Sequence, residues 1–285
     1  MTLIDGKSIS AKVKDEIKSD ASDLAAKGVE PALAVILVGE DAASKTYVAS
    51  KEKACAACGI RSVAHRLSSD VSEAALLELI ENLNEDESID GILVQLPLPK
   101  HIDTNKILEK ISPQKDVDGF SAINVGKLTS GLSDGFVPCT PLGVMRLLEE
   151  YGVQIAGKNA VVLGRSNIVG KPMASLLLNA DATVTIAHSK TKDLKQLCAD
   201  ADILVAAVGK AHFVGADMVK QGAVVIDVGI NRGEDGKLRG DVDFDAVAPK
   251  CSLITPVPGG VGPMTIAMLL SNTIKSAKNR LRQRA

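Results

Sequence analysis

Tyr47 and Lys51 are residues whose types and spacing could do chemistry. They lie four positions apart in TYVASKEKACAACGI (46–60), a helix-compatible stretch, and residues four apart share one face of a helix. On that face a lysine could lower the pKa of a tyrosine that gives or takes a proton. The chain has no Trp and only two Tyr, so Tyr47 is also one of few rings available to stack on a flat ligand.

A Tyr-x-x-x-Lys pair also occurs in short-chain dehydrogenases, where a glycine-bearing dinucleotide turn precedes it within the same domain. Here the order is reversed, because the glycine turn GRSNIVGKP begins only at Gly164. We therefore assign Tyr47 and Lys51 to a different site, built by the first domain. The alternative for Lys51 is an ordinary surface lysine.

Gln95 and two acids extend this candidate site. Gln95 interrupts the apolar run GILVQLPLP (91–99) near its C-terminal end, and a buried amide needs a hydrogen-bond partner, for which Lys51 is a candidate. Asp116 and Asp118 flank Val117. A D-x-D pair can bind metal, but no further carboxylate or His cluster lies near it. We expect no metal, one acid capping a turn and the other meeting a ligand.

Short apolar runs that alternate with helical patterns must position these residues. Runs that are apolar throughout predict parallel strands buried on both faces, and their alternation with helices predicts βαβ units. The segment 120–140, richer in Gly, Ser and Asn, is predicted to cross between two domains, and 263–283 to form a long final helix. The predicted strands lie at 32–38, 61–67, 91–99, 159–164, 182–188, 201–209 and 222–229.

The glycine turn after strand 159–164 predicts dinucleotide binding. Its pattern is Gly164-x-Ser166-x-x-x-Gly170, and backbone N–H groups at such a turn suit a pyrophosphate. The next strand ends in Ala-His-Ser-Lys (187–190) without the acid that usually holds the ribose of NAD. Because Arg165 lies in the turn, NADP is favoured. The alternative for Arg165 is a solvated surface charge.

Composition excludes several classes of partner. The formal net charge is -2, so no global positive field favours nucleic acid or an anionic membrane. Apolar runs stay far below the roughly 20 residues of a membrane span. The N-terminal sequence resembles neither a secretory signal nor a transit peptide, which predicts a cytoplasmic protein. Five cysteines, an odd number, argue against a disulfide framework, and Cys55-x-x-Cys58 is interpreted as packing rather than a redox pair.

One more segment, ITPVPGGVGPMT (254–265), mixes rigid Pro with permissive Gly. Such a loop can bring its backbone close to a ligand. It leads into the final helix, which could return to the first domain.

Taken together, TYVASKEKACAACGI, GILVQLPLPKHI, PQKDVDGF, PCTPLG, GRSNIVGKP, VIDVGINR and ITPVPGGVGPMT closely resemble the bifunctional methylenetetrahydrofolate dehydrogenase/methenyltetrahydrofolate cyclohydrolases. The resemblance covers nearly the whole chain, in order. It implies two α/β domains around a cleft: a catalytic, folate-binding domain (1–138, completed by helix 263–285) and a Rossmann-type NADP-binding domain with a parallel sheet (139–262). It also implies a homodimer joined through the NADP domains.

The resemblance further implies residue roles. Lys51 is similar to the family's catalytic lysine, Gln95 to the partner that tunes it, Tyr47 to the residue that stacks on folate and Asp118 to the acid that holds the pterin. Implied folate contacts are Val94, Gln95, Leu96, Pro258, Gly259, Gly260, Val261 and Gly262. Implied cofactor contacts are Gly164, Arg165, Ser166, Ser189 and Ile230.

The implied activity is NADP-dependent oxidation of 5,10-methylenetetrahydrofolate, followed by hydrolysis of the methenyl product to 10-formyltetrahydrofolate. Two other classes remain open: an NADP-dependent oxidoreductase on another small substrate, and a non-catalytic NADP-binding regulator. The joint presence of Lys51, Gln95 and Asp118 argues against the regulator.

Overall fold

The computed structural model describes residues 1–284 and divides into two compact units. The six-stranded unit comprises Met1–Ala11 and Thr140–Thr265, and the three-stranded unit comprises Lys12–Cys139 together with the C-terminal residues from Ile266. Both contain parallel sheets with helical connections, which confirms the predicted two-domain α/β fold. Within the described residues, no helix is both long and apolar enough to cross a membrane.

The three-stranded unit is built around β2, whose seven residues are all buried. Its sheet has the order β3-β2-β4, and both pairings are parallel. Buried side chains of β2, β4, α3 and α4 form one apolar core, as expected for a strand that is apolar throughout. The elements are β2 (Ala32–Val38), α2 (Ala42–Ala57), β3 (Arg61–Leu67), α3 (Glu73–Glu85), β4 (Gly91–Val94), α4 (Thr104–Lys110) and α5 (Ala122–Thr129).

The six-stranded unit has the strand order β1-β11-β8-β7-β5-β6 and a small antiparallel hairpin, β9–β10. Its elements are β1 (Thr2–Leu3), α6 (Cys139–Glu150), β5 (Asn159–Leu163), α7 (Gly170–Asn179), β6 (Thr183–Ala187), α8 (Leu194–Ala199), β7 (Ile203–Ala206), β8 (Val224–Asp227), β9 (Asn231–Arg232), β10 (Leu238–Arg239), α9 (Phe244–Val247) and β11 (Leu253–Ile254). Helices α1 (Gly6–Ala26) and α10 (Val261–Arg284) each begin in this unit and continue into the other.

The units differ from the predicted domain bounds at the amino terminus. Residues 1–11 group with 140–265, because β1 adds to the sheet beside β11, where Ile4 N–H donates to Ile254 O at 2.8 Å. Within the three-stranded unit, Arg280 of α10 pairs with the buried Asp90 at 2.7 Å, and Asn272 donates to Val117 O at 2.7 Å.

One local prediction was incomplete and another was wrong. The chain passes between the units at 139/140, inside the predicted crossing 120–140, but this segment also contains α5, whose N-cap Ser121 accepts from Asn124 N–H. The apolar run 91–99 forms a strand only as far as Val94. Pro97 and Pro99 have no N–H to give to a ladder, so Gln95 and Leu96 lie in the turn beyond the strand.

Candidate active site

Helix α2 carries Tyr47 and Lys51 just beyond the carboxyl end of β2. Asp41 caps the helix by accepting from Ser44 N–H at 2.8 Å, a standard N-cap interaction. Tyr47 is 47% exposed, whereas Lys51, one turn later, is half-buried. The helix therefore presents an accessible ring and a partly enclosed amine on neighbouring turns.

Gln95 supplies the partner of Lys51. Lys51 Nζ donates to Gln95 Oε1 at 2.9 Å, so the predicted contact is confirmed. The opposite end of the amide is also fixed, because Gln95 Nε2 donates to Leu96 O at 2.7 Å. The backbone N–H of Gln95 donates to Ile36 O of β2 at 2.9 Å. These contacts hold the amide oxygen toward the amine.

Asp118 and Cys139 complete a cluster of titratable groups around Lys51. Burial lowers the pKa of Lys51, while the nearby Asp118 carboxyl opposes that shift. Burial likewise raises the pKa of Asp118, while Lys51 and a hydrogen bond with the Cys139 thiol oppose the rise. The pKa of Cys139 is raised well above its usual value, chiefly by burial. Each group has its charged form disfavoured by the same enclosed environment.

Asp116 has a different role from Asp118, as expected for one acid of the pair. Its buried carboxylate accepts from Ser121 N–H at 2.8 Å, from Asn124 Nδ2 at 2.9 Å and from Phe120 N–H at 3.2 Å. These bonds shape the turn that leads into α5. Across residues 1–284, no group of three or more His, Cys, Asp or Glu side chains is arranged to hold a metal ion.

Cys55 and Cys58, farther along α2, are buried. Burial raises the pKa of Cys55 to about 12 and also raises that of Cys58. Reactive cysteines have a lowered pKa, so packing is the role that these two thiols fit.

The glycine turn between β5 and α7 has the backbone expected for a dinucleotide. Gly164 has φ 128°, and a Cβ built on it would lie 2.2 Å from Ala207 O. A Cβ on Gly170 would lie 2.3 Å from Gly164 O. Only glycine fits such close approaches. Ser166 Oγ accepts from the N–H groups of Val169 and Gly170 at 3.2 and 3.3 Å, so this side chain fixes the turn at which α7 begins.

The end of β6 lies beside this turn, because Gly164 N–H donates to Ala187 O at 2.9 Å. The residues that follow β6 are His188, Ser189 and Lys190, and the last two are exposed. Arg165 is also exposed and forms no hydrogen bond or ion pair with another residue of the described range. The Arg165 guanidinium thus follows one strand, and the exposed Ser189 and Lys190 follow the adjacent strand. An acid at the end of that adjacent strand would select NAD.

Two more sets of sequence-predicted contacts belong to the six-stranded unit, whereas Val94 and Leu96 lie in the three-stranded unit. Ile230 follows β8 and is 48% exposed. In the segment 258–262, a loop that runs into the start of α10, Pro258 is exposed, but Gly259, Gly260 and Val261 are buried. A Cβ on Gly6 would lie 1.8 Å from Gly260 O, so the start of α1 packs directly against this loop. Tyr47, Lys51, Gln95 and Asp118 all lie in the three-stranded unit.

Comparison with known proteins matches both units. Residues 4–118 match the family described as tetrahydrofolate dehydrogenase/cyclohydrolase, catalytic domain. Residues 138–281 match the same family's NAD(P)-binding domain. The chain belongs to the tetrahydrofolate dehydrogenase/cyclohydrolase family. It is therefore an enzyme of that bifunctional family, with an NAD(P)-binding domain.

Individual members of the tetrahydrofolate dehydrogenase/cyclohydrolase family are similar to this chain over nearly their whole length. The bifunctional protein FolD of Campylobacter hominis is 71% identical over 99% of both chains. The crystal structure of the Campylobacter jejuni bifunctional enzyme FolD is 59% identical, covers 98% of this chain and 99% of that one, and has a TM-score of 0.97. The Trypanosoma brucei dehydrogenase-cyclohydrolase, solved with NADP and an inhibitor, is 43% identical, with coverages of 99% and 98% and a TM-score of 0.94.

The predicted site residues did not include Cys139, which belongs to the cluster of titratable groups around Lys51. Its thiol donates to Val117 O at 3.4 Å and lies beside Asp118. It belongs to the PCTPLG motif, which carried part of the resemblance. Nothing in the spacing of that motif indicates that its thiol meets an acid more than twenty residues earlier in the chain.

Proposed function

We propose that this chain catalyses NADP-dependent oxidation of 5,10-methylenetetrahydrofolate and then hydrolyses 5,10-methenyltetrahydrofolate to 10-formyltetrahydrofolate. One observation carries the proposal. Lys51 donates to Gln95 Oε1 at 2.9 Å in surroundings whose burial lowers the pKa of its amine. A lowered pKa makes more of the neutral amine available to accept a proton, which the hydrolytic step requires.

The hydrolytic step adds water to the carbon of the methenyl bridge. A free lysine, with a pKa of about 10.4, is almost fully protonated at neutral pH, so burial must supply the neutral form. As water attacks, Lys51 Nζ accepts the water proton. Gln95 holds the amine in position, because its own amide is fixed by Leu96 O. Collapse of the adduct breaks one carbon–nitrogen bond: the hydroxyl proton is lost as the carbonyl forms, the departing nitrogen takes up a proton, and the formyl group remains on the other nitrogen.

Tyr47, Asp118 and two backbone segments are proposed to hold the folate. The exposed ring of Tyr47 can stack on a flat heterocycle. The Asp118 carboxyl can accept hydrogen bonds from the amino and ring N–H groups of a pterin. Residues 94–96 and 258–262 are proposed as further folate contacts, of which Pro258 is exposed.

The turn at Gly164 fits a dinucleotide, because its glycines permit the backbone approach that a Cβ would block and because it precedes the N-terminus of α7. Bound at this turn, NADP would supply the hydride acceptor for oxidation of the methylene carbon of the folate. Arg165 is proposed to bind the 2′-phosphate, with Ser166 and Ser189 as polar contacts and Ile230 as an apolar one. The NADP bound to the Trypanosoma brucei relative supports this choice of cofactor.

An assay that follows NADPH and the methenyl intermediate together tests the proposal. With 5,10-methylenetetrahydrofolate and NADP, we expect NADPH to accumulate while methenyltetrahydrofolate rises and then decays faster than it does without enzyme. Simple alcohols in place of the folate should give no NADPH. Turnover of alcohols, or NADP binding without any turnover, would favour the two other classes and contradict this function.

We also propose a homodimer joined through the six-stranded unit. Strand β6 lies at the edge of its sheet, and Ile168, Leu178 and Ile186 are 46%, 61% and 40% exposed. Unpaired edges and exposed apolar residues favour association. Light scattering should give twice the 29.7 kDa chain mass, and Ile186→Asp should give a monomer. A monomeric unmodified protein would contradict the dimer.

A cytoplasmic location is proposed as well. The five cysteines are free and buried, which suits a reducing compartment. Fractionation of the source cells, with this protein detected by antibody, checks the location. Recovery with secreted or membrane fractions would contradict it.

A further inference from the structure

Asp227 and Asp241 are two buried acids that the proposed mechanism does not use. They are 4% and 0% exposed. Asp227 ends β8, and Asp241 follows β10. A buried carboxylate is costly unless it is fully hydrogen-bonded, so the partners of these two groups indicate what they stabilise.

Asp241 binds the segment that follows β7. Its Oδ2 accepts from the N–H groups of Val208 and Gly209 at 2.6 and 2.9 Å. Its Oδ1 accepts from Lys210 N–H at 2.8 Å and from Asn231 Nδ2 at 2.9 Å. Three consecutive backbone N–H groups thus converge on one carboxylate, which behaves as an internal anion in a backbone nest.

Asp227 in turn holds Asp241. Its Oδ1 accepts from the N–H groups of Gly229 and Asp241, and its Oδ2 accepts from Val242 N–H, all at 2.9 Å. The neighbouring glycines leave room for both acids. A Cβ on Gly229 would lie 2.2 Å from Asp241 Oδ1, and one on Gly240 would lie 1.8 Å from Asp227 Oδ2.

The segments fixed in this way begin at the edge of the sheet that carries the glycine turn. The last residues of β5, β7 and β8 are in register, with Leu163 beside Ala206 and Ala206 beside Asp227. Residues 164–169, 207–210 and 228–231 therefore leave the sheet from adjacent carboxyl ends, which is where open parallel sheets bind ligands.

We propose that Asp241 is a positioning residue for the dinucleotide: it fixes residues 208–210 and Asn231, and Asp227 fixes Asp241. The inference rests on the proposed function, since it requires a dinucleotide at this edge. Asp241 itself touches backbone N–H groups and Asn231, and it acts through the loops that these groups shape.

Asp241→Asn tests the inference with little change of shape. One acceptor oxygen becomes an NH₂ donor that faces N–H donors, so the loop after β7 must move. We expect the Kd for NADP to rise about tenfold or more. Hydrolysis of methenyltetrahydrofolate, measured without dinucleotide, should stay within about twofold, because Lys51 lies in the other compact unit. Asp202→Asn is the control: Asp202 also accepts a backbone N–H, from Asn159 at the amino end of β5, and should keep the NADP affinity unchanged.

The outcomes separate this inference from the function on which it rests. An unmodified enzyme that fails to reduce NADP with the folate contradicts the proposed function. An active unmodified enzyme whose Asp241→Asn variant retains its NADP affinity, or loses both activities equally, overturns the positioning role. If Asp241→Asn does not fold, Asn231→Ala removes a single donor to Asp241. It should weaken NADP by about threefold or more and spare the hydrolysis, and an unchanged NADP affinity would overturn the inference.

Discussion

The Lys51 cluster and the Gly164 turn use opposite means to prepare a site. Around Lys51, side chains with shifted pKa values meet in partial burial. At Gly164, the backbone does the shaping and the charged group, Arg165, is exposed. Proton transfer requires a titratable group near its pKa, whereas binding a pyrophosphate requires free N–H groups and room. The contrast predicts that substitutions of Lys51 and its partner Gln95 alter chemistry and that substitutions in the second site alter affinity.

Lys51→Met should have the largest effect on activity, because it keeps the stem of the side chain and removes the proton acceptor. General base catalysis contributes about 10²–10⁴-fold, so we expect cyclohydrolase activity to fall by about that factor while dehydrogenase activity remains measurable. The ratio of the two rates in the purified variant is the measurement. Lys53→Met, an exposed lysine on the same helix, is the control. Equal loss of both activities, or a normal cyclohydrolase, would remove Lys51 from this role.

Gln95→Glu should change the pH dependence of the same step. The neutral form of Lys51 exists above its pKa, so cyclohydrolase activity should rise with pH through that value. A carboxylate at the position of Gln95 Oε1, 2.9 Å from the amine, favours the ammonium form and should raise the Lys51 pKa. The rate at pH 7 should therefore fall, by about tenfold or more, and recover at higher pH.

Gln114→Glu is the control for this experiment, because it adds the same charge at an exposed position of the same unit. A pH–rate profile of the Gln95→Glu variant that keeps the midpoint of the unmodified enzyme would contradict the proposed tuning of Lys51.

Asp118→Asn should affect folate binding without affecting the cofactor. Hydrogen bonds to a charged group contribute about 1.5–3 kcal/mol, so both activities should fall about 10- to 100-fold at limiting folate. The Kd for NADP, measured alone, should not change. Asp116→Asn, by contrast, should lower the melting temperature, because Asp116 accepts three bonds within the fold. A matching loss of NADP affinity in Asp118→Asn would make Asp118 structural.

Arg165→Ala should weaken NADP about 10- to 100-fold, because a charge-assisted bond to the 2′-phosphate is lost. Binding of NAD, which has no such phosphate, serves as the internal control and should be nearly unchanged. Lys195→Ala, which removes another exposed cation of the same unit, should leave both affinities unaltered. Equal losses for NADP and NAD would show that Arg165 does not bind the phosphate.

Features that depend on local sequence pattern were predicted best. Strand β2 matches its predicted run, 32–38, because an uninterrupted apolar stretch has one stable place, buried on both faces of a parallel sheet. The sequence also predicted Lys51 beside Gln95, since a polar residue that interrupts an apolar run needs a partner. Helix α5 was missed because its stability depends on Ser121 and on Asp116, five residues farther upstream.

Contacts between distant segments were beyond the sequence pattern. The Cys139 thiol reaches Asp118, and the Asp241 carboxylate binds N–H groups more than thirty positions earlier. No periodicity or spacing encodes such pairings. The same limit explains why β1 was not predicted, because it pairs with a strand, β11, that comes some 250 residues later.

Ser166→Ala should have the smallest effect of these substitutions. It tests how much a side chain, rather than the backbone, contributes to the turn. The Ser166 hydroxyl accepts from the N–H groups of Val169 and Gly170, and loss of hydrogen bonds of this kind costs about 1 kcal/mol. We expect the free energy of unfolding to fall by about that amount. NADP affinity should fall only about fivefold, because one uncharged polar contact and some preorganisation of the turn are lost but no charge is removed.

Ser175→Ala is the matched control, since Ser175 lies inside the same helix, where alanine is the better helix former. It should leave NADP affinity unchanged and keep or slightly raise the melting temperature. If Ser166→Ala weakened NADP as strongly as Arg165→Ala while the melting temperature stayed constant, the hydroxyl would be a principal ligand of the cofactor and would not stabilise the turn. The turn would then bind the cofactor through its side chains. It would differ from the Lys51 cluster only in that its side chains are more exposed to solvent.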